Sequence, residues 1–447
     1  MEDKLDDSVR NFLFYQTSKR LPFIQRAKGI RMWDEAGKEY IDACSGAVIC
    51  NIGHGNPRIE RAIREQAKKA FFVYRTQFEN QPAVELAADL VKFSAPHLDR
   101  VFYVSGGSEA VESAIKLSRQ YFYNKGEGSR YLFVSRVPSY HGSTLGALAL
   151  TSYAPLEIPF RAMIQSYPKI PAPYCYRCPY DKVYPNCNLK CAKALETTIL
   201  EHGPENVAGF VVEPIVGASI GALVPPDNYF SIVQQTCKKY GIHLILDEVM
   251  TGFGRTGKLF AYEHWAVEAD IVALSKGMAS GYYPLGAIMT RKDIVDEVLR
   301  GGGFAHGHTY AGNPMACAVG LEVFRVIREE NLPENSARMG QVLKAGLEEL
   351  ERKHSIIGQV RGKGLLMALE LVEDRDTRKP FPAERNVNML LTDMASENGL
   401  IIYPRRAING LSGDHVLIAP PLIVNEREIY EIVERLDDAL KRTKEKL

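Results

Sequence analysis

Neither sign of charge dominates this 447-residue chain, with 55 Lys and Arg against 54 Asp and Glu. A net charge of +1 supplies no basic field for nucleic acid or an anionic membrane. Long hydrophobic runs are also missing, and no uninterrupted apolar stretch could span a bilayer. The first residues, MEDKLDD, are acidic and lack an apolar segment behind a basic one, so they do not read as a secretory signal. Repeats and low-complexity tracts are lacking as well. Cysteine is sparse, at 8 residues in a chain far larger than a disulfide-stapled scaffold, which favours reduced thiols. These absences leave a cytoplasmic globular protein, with no nucleic-acid or membrane partner, as the expectation.

What is present is an ordinary globular balance, 46% hydrophobic and 24% charged, in a chain too long for one small core. From Asn56 to about Leu321, short apolar runs alternate with amphipathic stretches. Asn56-Pro57 reads as a helix cap with proline in the first turn. VFYV (101–104), YLFVSR (130–135), VAGFVVEP (207–214), IHLILDEV (242–249), DIVALSK (270–276) and LGAIMT (285–290) read as strands. Helices are expected from about Gly107 to Tyr123 and from about Pro226 to Tyr240, the latter stopped by Gly241. This alternation predicts an α/β fold with a mostly parallel central sheet covered on both faces. Residues 1–57 and 322–447 are patterned differently, with a turn at Asp34–Gly37 and short strands at GLLMALELV (364–372) and HVLIAP (415–420). The expected division is a large domain over 58–321 and a smaller α+β domain built from both chain ends.

Ligands of open α/β sheets collect at the carboxyl ends of strands. The polar residues that follow the predicted strands are therefore the candidate site. They are Ser105 to Ser108 opening a helix, Tyr140-His141-Gly142, Glu213, Asp247-Glu248 and Lys276. Amides at a helix N-terminus bind phosphate. A desolvated lysine can lose its proton and form an imine with an aldehyde. A carboxylate opposite a pyridine nitrogen keeps it protonated, and an aromatic residue can stack on a flat ring. Singly, each has an ordinary explanation: a helix start, a turn cap, a solvated lysine, rim packing. Their conjunction is a set of parts for pyridoxal 5'-phosphate (PLP).

LDEVMTGFGRTGKLFAYEHWAVEADIVALSKGMASGYYPLGAIM (246–289), with Asp247 and Lys276 29 positions apart, resembles the signature of the class III, or ω-, aminotransferase family. SGGSEAVESAIKLSRQY (105–121), YHGST (140–144), VEPIVG (212–217), HGHTYAGNPMACAV (306–319) and GDHVLIAPPLIV (413–424) extend the resemblance over almost the whole chain. The resemblance implies a type I PLP fold and a homodimer with shared sites. Lys276 would be the catalytic Schiff-base lysine, and Asp247 would pair with the pyridinium nitrogen. Val249 and Tyr140 would pack on opposite ring faces, with His141 and Glu213 beside them. Gly107 and Ser108 would bind the phosphate, joined by Thr309 of the neighbouring subunit. Gly106 stands where the family usually has a polar residue.

Substrate choice rests on departures from that family. GLIIYPRR (399–406) places Tyr403 where many ω-amine:pyruvate members have a mobile arginine, with Arg405 and Arg406 just after it. Leu417 stands near the place of an arginine found in members that use 2-oxoglutarate. A dicarboxylate should bind poorly without that bidentate partner, so pyruvate is the expected acceptor for an ω-amino acid or amine donor. Val48, Tyr403 and Arg405 are the candidate substrate residues, Val48 replacing something bulkier in relatives. A decarboxylase, racemase or aminomutase of the same fold, and a 2-oxoglutarate-dependent aminotransferase, are the alternatives; a regulatory protein that kept the fold is a further one. A separate cluster, Cys175, Cys178, Cys187 and Cys191, has C-x2-C and C-x3-C spacing. It allows a zinc site, a disulfide or free buried thiols, and no metal is assigned.

Overall fold

The computed structural model describes residues 12–14 and 21–447. The acidic MEDKLDD segment lies outside the described residues. One sheet contains β1 (Arg100–Val104), β2 (Leu132–Val137), β3 (Lys169–Pro171), β4 (Val207–Val212), β5 (His243–Asp247), β6 (Ile271–Leu274) and β7 (Gly286–Thr290). Their spatial order is β1-β7-β6-β5-β4-β2-β3. The pairs β2 with β3, β2 with β4, β4 with β5 and β5 with β6 are parallel. Only β7 runs against its neighbours β6 and β1. The expected mostly parallel α/β sheet is therefore present. Every residue of β4, β5 and β6 is buried, which is why these strands are unbroken apolar runs and not alternating ones.

α1 (Gly107–Asn124) leaves β1 directly and buries Ala110, Val111, Ala114, Ile115, Leu117 and Phe122. That helical spacing lays one apolar stripe on the sheet and fixes the helix N-terminus at the strand ends. The expected helix at Pro226 begins later, at Tyr229. The Tyr229 N–H donates to the Pro226 carbonyl at 2.9 Å, closing a turn before the helix starts. It stops as expected at Gly241, in the left-handed region at φ +62°.

The chain ends build two further sheets. Ile24–Lys28, Arg31–Asp34 and Glu39–Asp42 pair in sequence, and Leu400–Ile401 joins the last of them in parallel. The turn at Asp34–Gly37 is formed: the Gly37 N–H donates to the Asp34 carbonyl at 3.0 Å, while the Asp34 carboxylate accepts from Ala36 and Lys38. The other sheet holds Ile357–Lys363, Leu366–Leu371, Ser412–Ile418 and Tyr403–Ile408 in that spatial order. Along Tyr403–Ile408 side chains alternate between faces, so Tyr403 and Arg405 share one face and Arg406 takes the other. Among the described residues no helix is long and apolar enough to cross a membrane.

Candidate active site

Four parallel strands deliver their carboxyl ends to one rim. Asp247 ends β5, Lys276 lies two residues beyond β6, Glu213 directly follows β4, and Tyr140 and His141 follow β2. Lys276, Asp247, Glu213, His141, Tyr140, Val249, Ser108 and Gly107 line a common pocket of about 160 Å³. Larger hollows of about 520 and 740 Å³ lie around His97–Arg291 and Arg58–Arg325. Neither contains Lys276 or Asp247.

His141 Nδ1 stands 2.8 Å from Asp247 Oδ2, and the other oxygen, Oδ1, accepts the Val249 N–H at 3.1 Å. Both side chains are buried. Glu213 accepts from the Gly217 N–H at 3.3 Å and lies 3.7 Å from the buried Arg136 guanidinium. Burial pushes the Glu213 carboxyl upward. Burial also lowers Lys276 to about 8, against the pull of Asp247 and Glu213, with Arg405 and Arg255 adding to the lowering. A lysine in that range keeps a far larger neutral fraction near physiological pH than an ordinary lysine, and the neutral amine is the form that attacks carbonyl carbon. Its backbone is in the left-handed region at φ +45°, an uncommon conformation for a side-chain-bearing residue.

The residues fit a flat ring carrying a phosphate. Gly106 caps α1 without a side-chain hydrogen bond, which leaves first-turn amides for an anion. Gly107 has to be glycine, because a Cβ there would sit 2.7 Å from Val249 Cγ1. Gly142 is likewise required: its φ is +137° and a Cβ would lie 2.6 Å from Ser108 Oγ. His141 Nε2 and Glu213 Oε2 are buried atoms without a hydrogen-bond partner, so the site keeps unmet polar capacity.

A model of the class III aminotransferases matches residues 14–440. The chain belongs to the class III aminotransferases. It is 40% identical over 420 residues to the uncharacterized aminotransferase YodT of Bacillus subtilis, covering 94% of each chain. It is 35% identical over 412 residues to putrescine–pyruvate aminotransferase of Pseudomonas aeruginosa, covering 92% of this chain and 88% of that one. Among solved structures it superposes with a TM-score of 0.91 on a PLP-bound amine transaminase from an uncultivated Pseudomonas species. That pair shares 32% identity over 96% of this aminotransferase and 98% of the other chain. The α/β fold and the aminotransferase activity anticipated from sequence thus stand.

Some anticipated positions of this aminotransferase lie apart from the Lys276 pocket. Gly106 borders it only as the cap of α1. Thr309 is exposed and absent from the lining. Tyr403 and Val48 pack together with Leu417, Ile215, Ala218 and Met250, of which Ile215, Ala218 and Met250 also line the pocket. Arg405 stacks on the Tyr403 ring at 4.4 Å and donates to the Tyr403 hydroxyl. Arg406 turns the other way, to Asp414 Oδ1 at 2.9 Å. Sequence reasoning missed the wall formed by Ile215, Gly217, Ala218 and Met250. Its signal was only that IVGAS follows a strand end.

Proposed function

We propose that this aminotransferase moves the amino group of an ω-amino acid or amine to pyruvate, with PLP as cofactor, in two half-reactions at Lys276. The observation that carries the reading is Lys276, lowered to about 8 by burial in one pocket with Asp247 and the free N-terminus of α1. Bound PLP would supply a ring able to take up the electron pair left when a substrate Cα–H bond breaks. Gly107 and Ser108 would hold its phosphate, Val249 and Tyr140 its faces, and Asp247 its ring nitrogen. His141 holds Asp247 in place, and Lys276 Nζ takes the substrate proton and returns it.

The acceptor assignment rests on Arg405. Among the described residues it forms no ion pair with a carboxylate; its hydrogen bonds go to Tyr403 and the Pro404 carbonyl. It is near enough to Lys276 to lower that amine. One unpaired guanidinium suits a keto acid with one carboxylate. A second carboxylate would meet Leu417 and its apolar neighbours, where desolvation is costly. Val48 packs behind Ile215, Ala218 and Met250 of the pocket wall, where its small side chain would leave room for the donor. That the P. aeruginosa relative is a putrescine–pyruvate aminotransferase agrees with this reading.

A homodimer with shared sites is part of the proposal. Phe71, Phe72, Tyr74, Phe78 and Tyr310 are large exposed apolar side chains. Phe72 meets Tyr310 at 6.1 Å, one residue from Thr309. An exposed aromatic patch of this kind marks an association surface, and it would bring Thr309 to a neighbour's phosphate. We also read residues 58–321 as the large domain and the remainder as the small one, in keeping with the chain positions of the three sheets.

The test is spectral. Purified holoenzyme is mixed with a panel of amines, then with pyruvate. The visible PLP band should fade with a donor and return with pyruvate. A protein that binds PLP but shows neither change would overturn the assignment.

A further inference from the structure

The segment between β3 and α2 (Lys190–His202) has little regular structure; a single turn of 3-10 helix spans Cys175–Arg177. Irregular segments of this length inside a compact fold usually carry a function. This one reaches the C-terminal sheet. Tyr174 donates to the buried Glu370, which Arg177 and Arg361 each contact at 2.6 Å. Arg378 in turn donates to the Tyr176 carbonyl at 2.7 Å.

Cys175, Cys178, Cys187 and Cys191 all line one small cavity of about 10 Å³ within this segment, room for a single water-sized guest. None of the four is in a disulfide. Lys182 and Lys190 border the same cavity. Cys191 lies in the first turn of α2, where the helix dipole favours a thiolate. Four thiols thus face one cavity, and the two lysines on its border are cations that could balance the charge of thiolates there.

We propose that Cys175, Cys178, Cys187 and Cys191 form a structural four-thiolate zinc site that staples this segment beneath the Glu370 contacts. The C-x2-C and C-x3-C pairs are of the spacing that closed tetrahedral sites use, and an all-sulfur donor set selects a soft cation. On binding, each thiol gives its proton to solvent as its sulfur takes the metal. The resulting double negative charge is balanced by Lys182 and Lys190. Among the described residues only Asp42, Cys50 and His54 bring three potential ligand atoms within 4.8 Å of one another. The four thiols therefore stand wider than a closed site, and metal binding would have to draw them together. The Asp42 group is the poorer cation site despite its spacing. The buried Arg255 acts on both Asp42 and Cys50, and Asp42 already accepts from Cys44, Gly46 and His54.

Full-length holoenzyme, prepared under reducing conditions and incubated with zinc alone, should retain one zinc per chain after gel filtration. Cobalt in its place should give the intense charge-transfer absorption of a thiolate site. Four fewer thiols should react with Ellman's reagent than after metal removal. Cys187→Ser with Cys191→Ser should abolish retention; Cys50→Ser, at the competing group, should not. The thiol count on the unsubstituted protein decides the matter even if the double variant misfolds. Reduced protein that keeps no zinc overturns the site, as does a mass loss showing that these cysteines pair as disulfides in the purified chain.

Discussion

Nδ1 of His141 lies 2.8 Å from Oδ2 of Asp247, with both side chains buried at the end of β5. The pair keeps the carboxylate oriented toward the pocket while the second oxygen accepts the Val249 N–H. A carboxylate held at both oxygens in low dielectric is well placed to keep a ring N–H charged.

Asp247→Asn should therefore bind PLP, by absorbance of the purified protein, yet lose at least about 100-fold in kcat, roughly 2.7 kcal/mol of transition-state stabilisation. His141→Ala should lose less, because it acts through Asp247. An Asn variant within about threefold of the parent rate, under 1 kcal/mol, would remove Asp247 from the proposed role.

The lowered Lys276 has a pH consequence. Only the neutral amine reacts with an aldehyde, so the rate of PLP incorporation into apoenzyme should rise through about pH 8 and then level off. Glu213 and Asp247 hold the proton on, whereas Arg405 drives it off. Glu213→Gln should accordingly move the midpoint down, and Arg405→Ala should move it up. Stopped-flow absorbance across a pH series reads both shifts; a common direction would contradict the charge arrangement. Lys276→Ala should fold, retain no borohydride-fixable PLP and lose at least about 1000-fold in turnover.

A shared site makes a prediction that a self-contained one does not. In a hybrid of one Lys276→Ala chain with one Thr309→Ala chain, both lesions fall in one site and the other is intact. Random exchange at equal amounts should then restore roughly a quarter of the parent activity through the symmetric interface. The measurement is activity against mixing time, with sedimentation run in parallel. No gain over both single variants after proven exchange would argue for sites complete within one chain.

Much of this was legible because strand ends are local. The buried runs 207–212, 243–247 and 271–274 announced a parallel sheet, and reading the last residue of each and the two after it gave Glu213, Asp247 and Lys276. The capless start of α1 was visible as Ser-Gly-Gly-Ser. What the sequence could not reveal depended on pairing between distant segments. Arg405 and Arg406 look equivalent in PRR, and only the register Arg406 to Asp414 locks one away and leaves the other beside Tyr403. The Ile215–Ala218 wall was hidden for a similar reason. It is shaped by Met250, whose Sδ would lie 2.4 Å from a Cβ on Gly217, and that contact joins loops after two different strands.

The sorting of the two arginines leads to the test of the acceptor. Arg406 is held by Asp414 at 2.9 Å and by Asn386 at 2.8 Å, so its substitution should cost stability more than specificity. Among the described residues the Arg405 guanidinium is held only by the Tyr403 ring and hydroxyl and a neighbouring carbonyl, bonds that a substrate carboxylate can replace. Arg405→Ala should raise the KM for pyruvate by at least about tenfold, near the 1.4 kcal/mol expected of a charge-assisted contact. The half-reaction with an uncharged amine donor should stay within about twofold, because that substrate has no carboxylate to lose a partner. Arg405→Lys should recover only part of the loss, since an ammonium cannot bind two oxygens in a plane. In the parent enzyme kcat/KM for pyruvate should exceed that for 2-oxoglutarate. A tenfold preference for 2-oxoglutarate, about 1.4 kcal/mol the other way, would mean that a second cation enters the pocket from outside the Tyr403–Arg405 face.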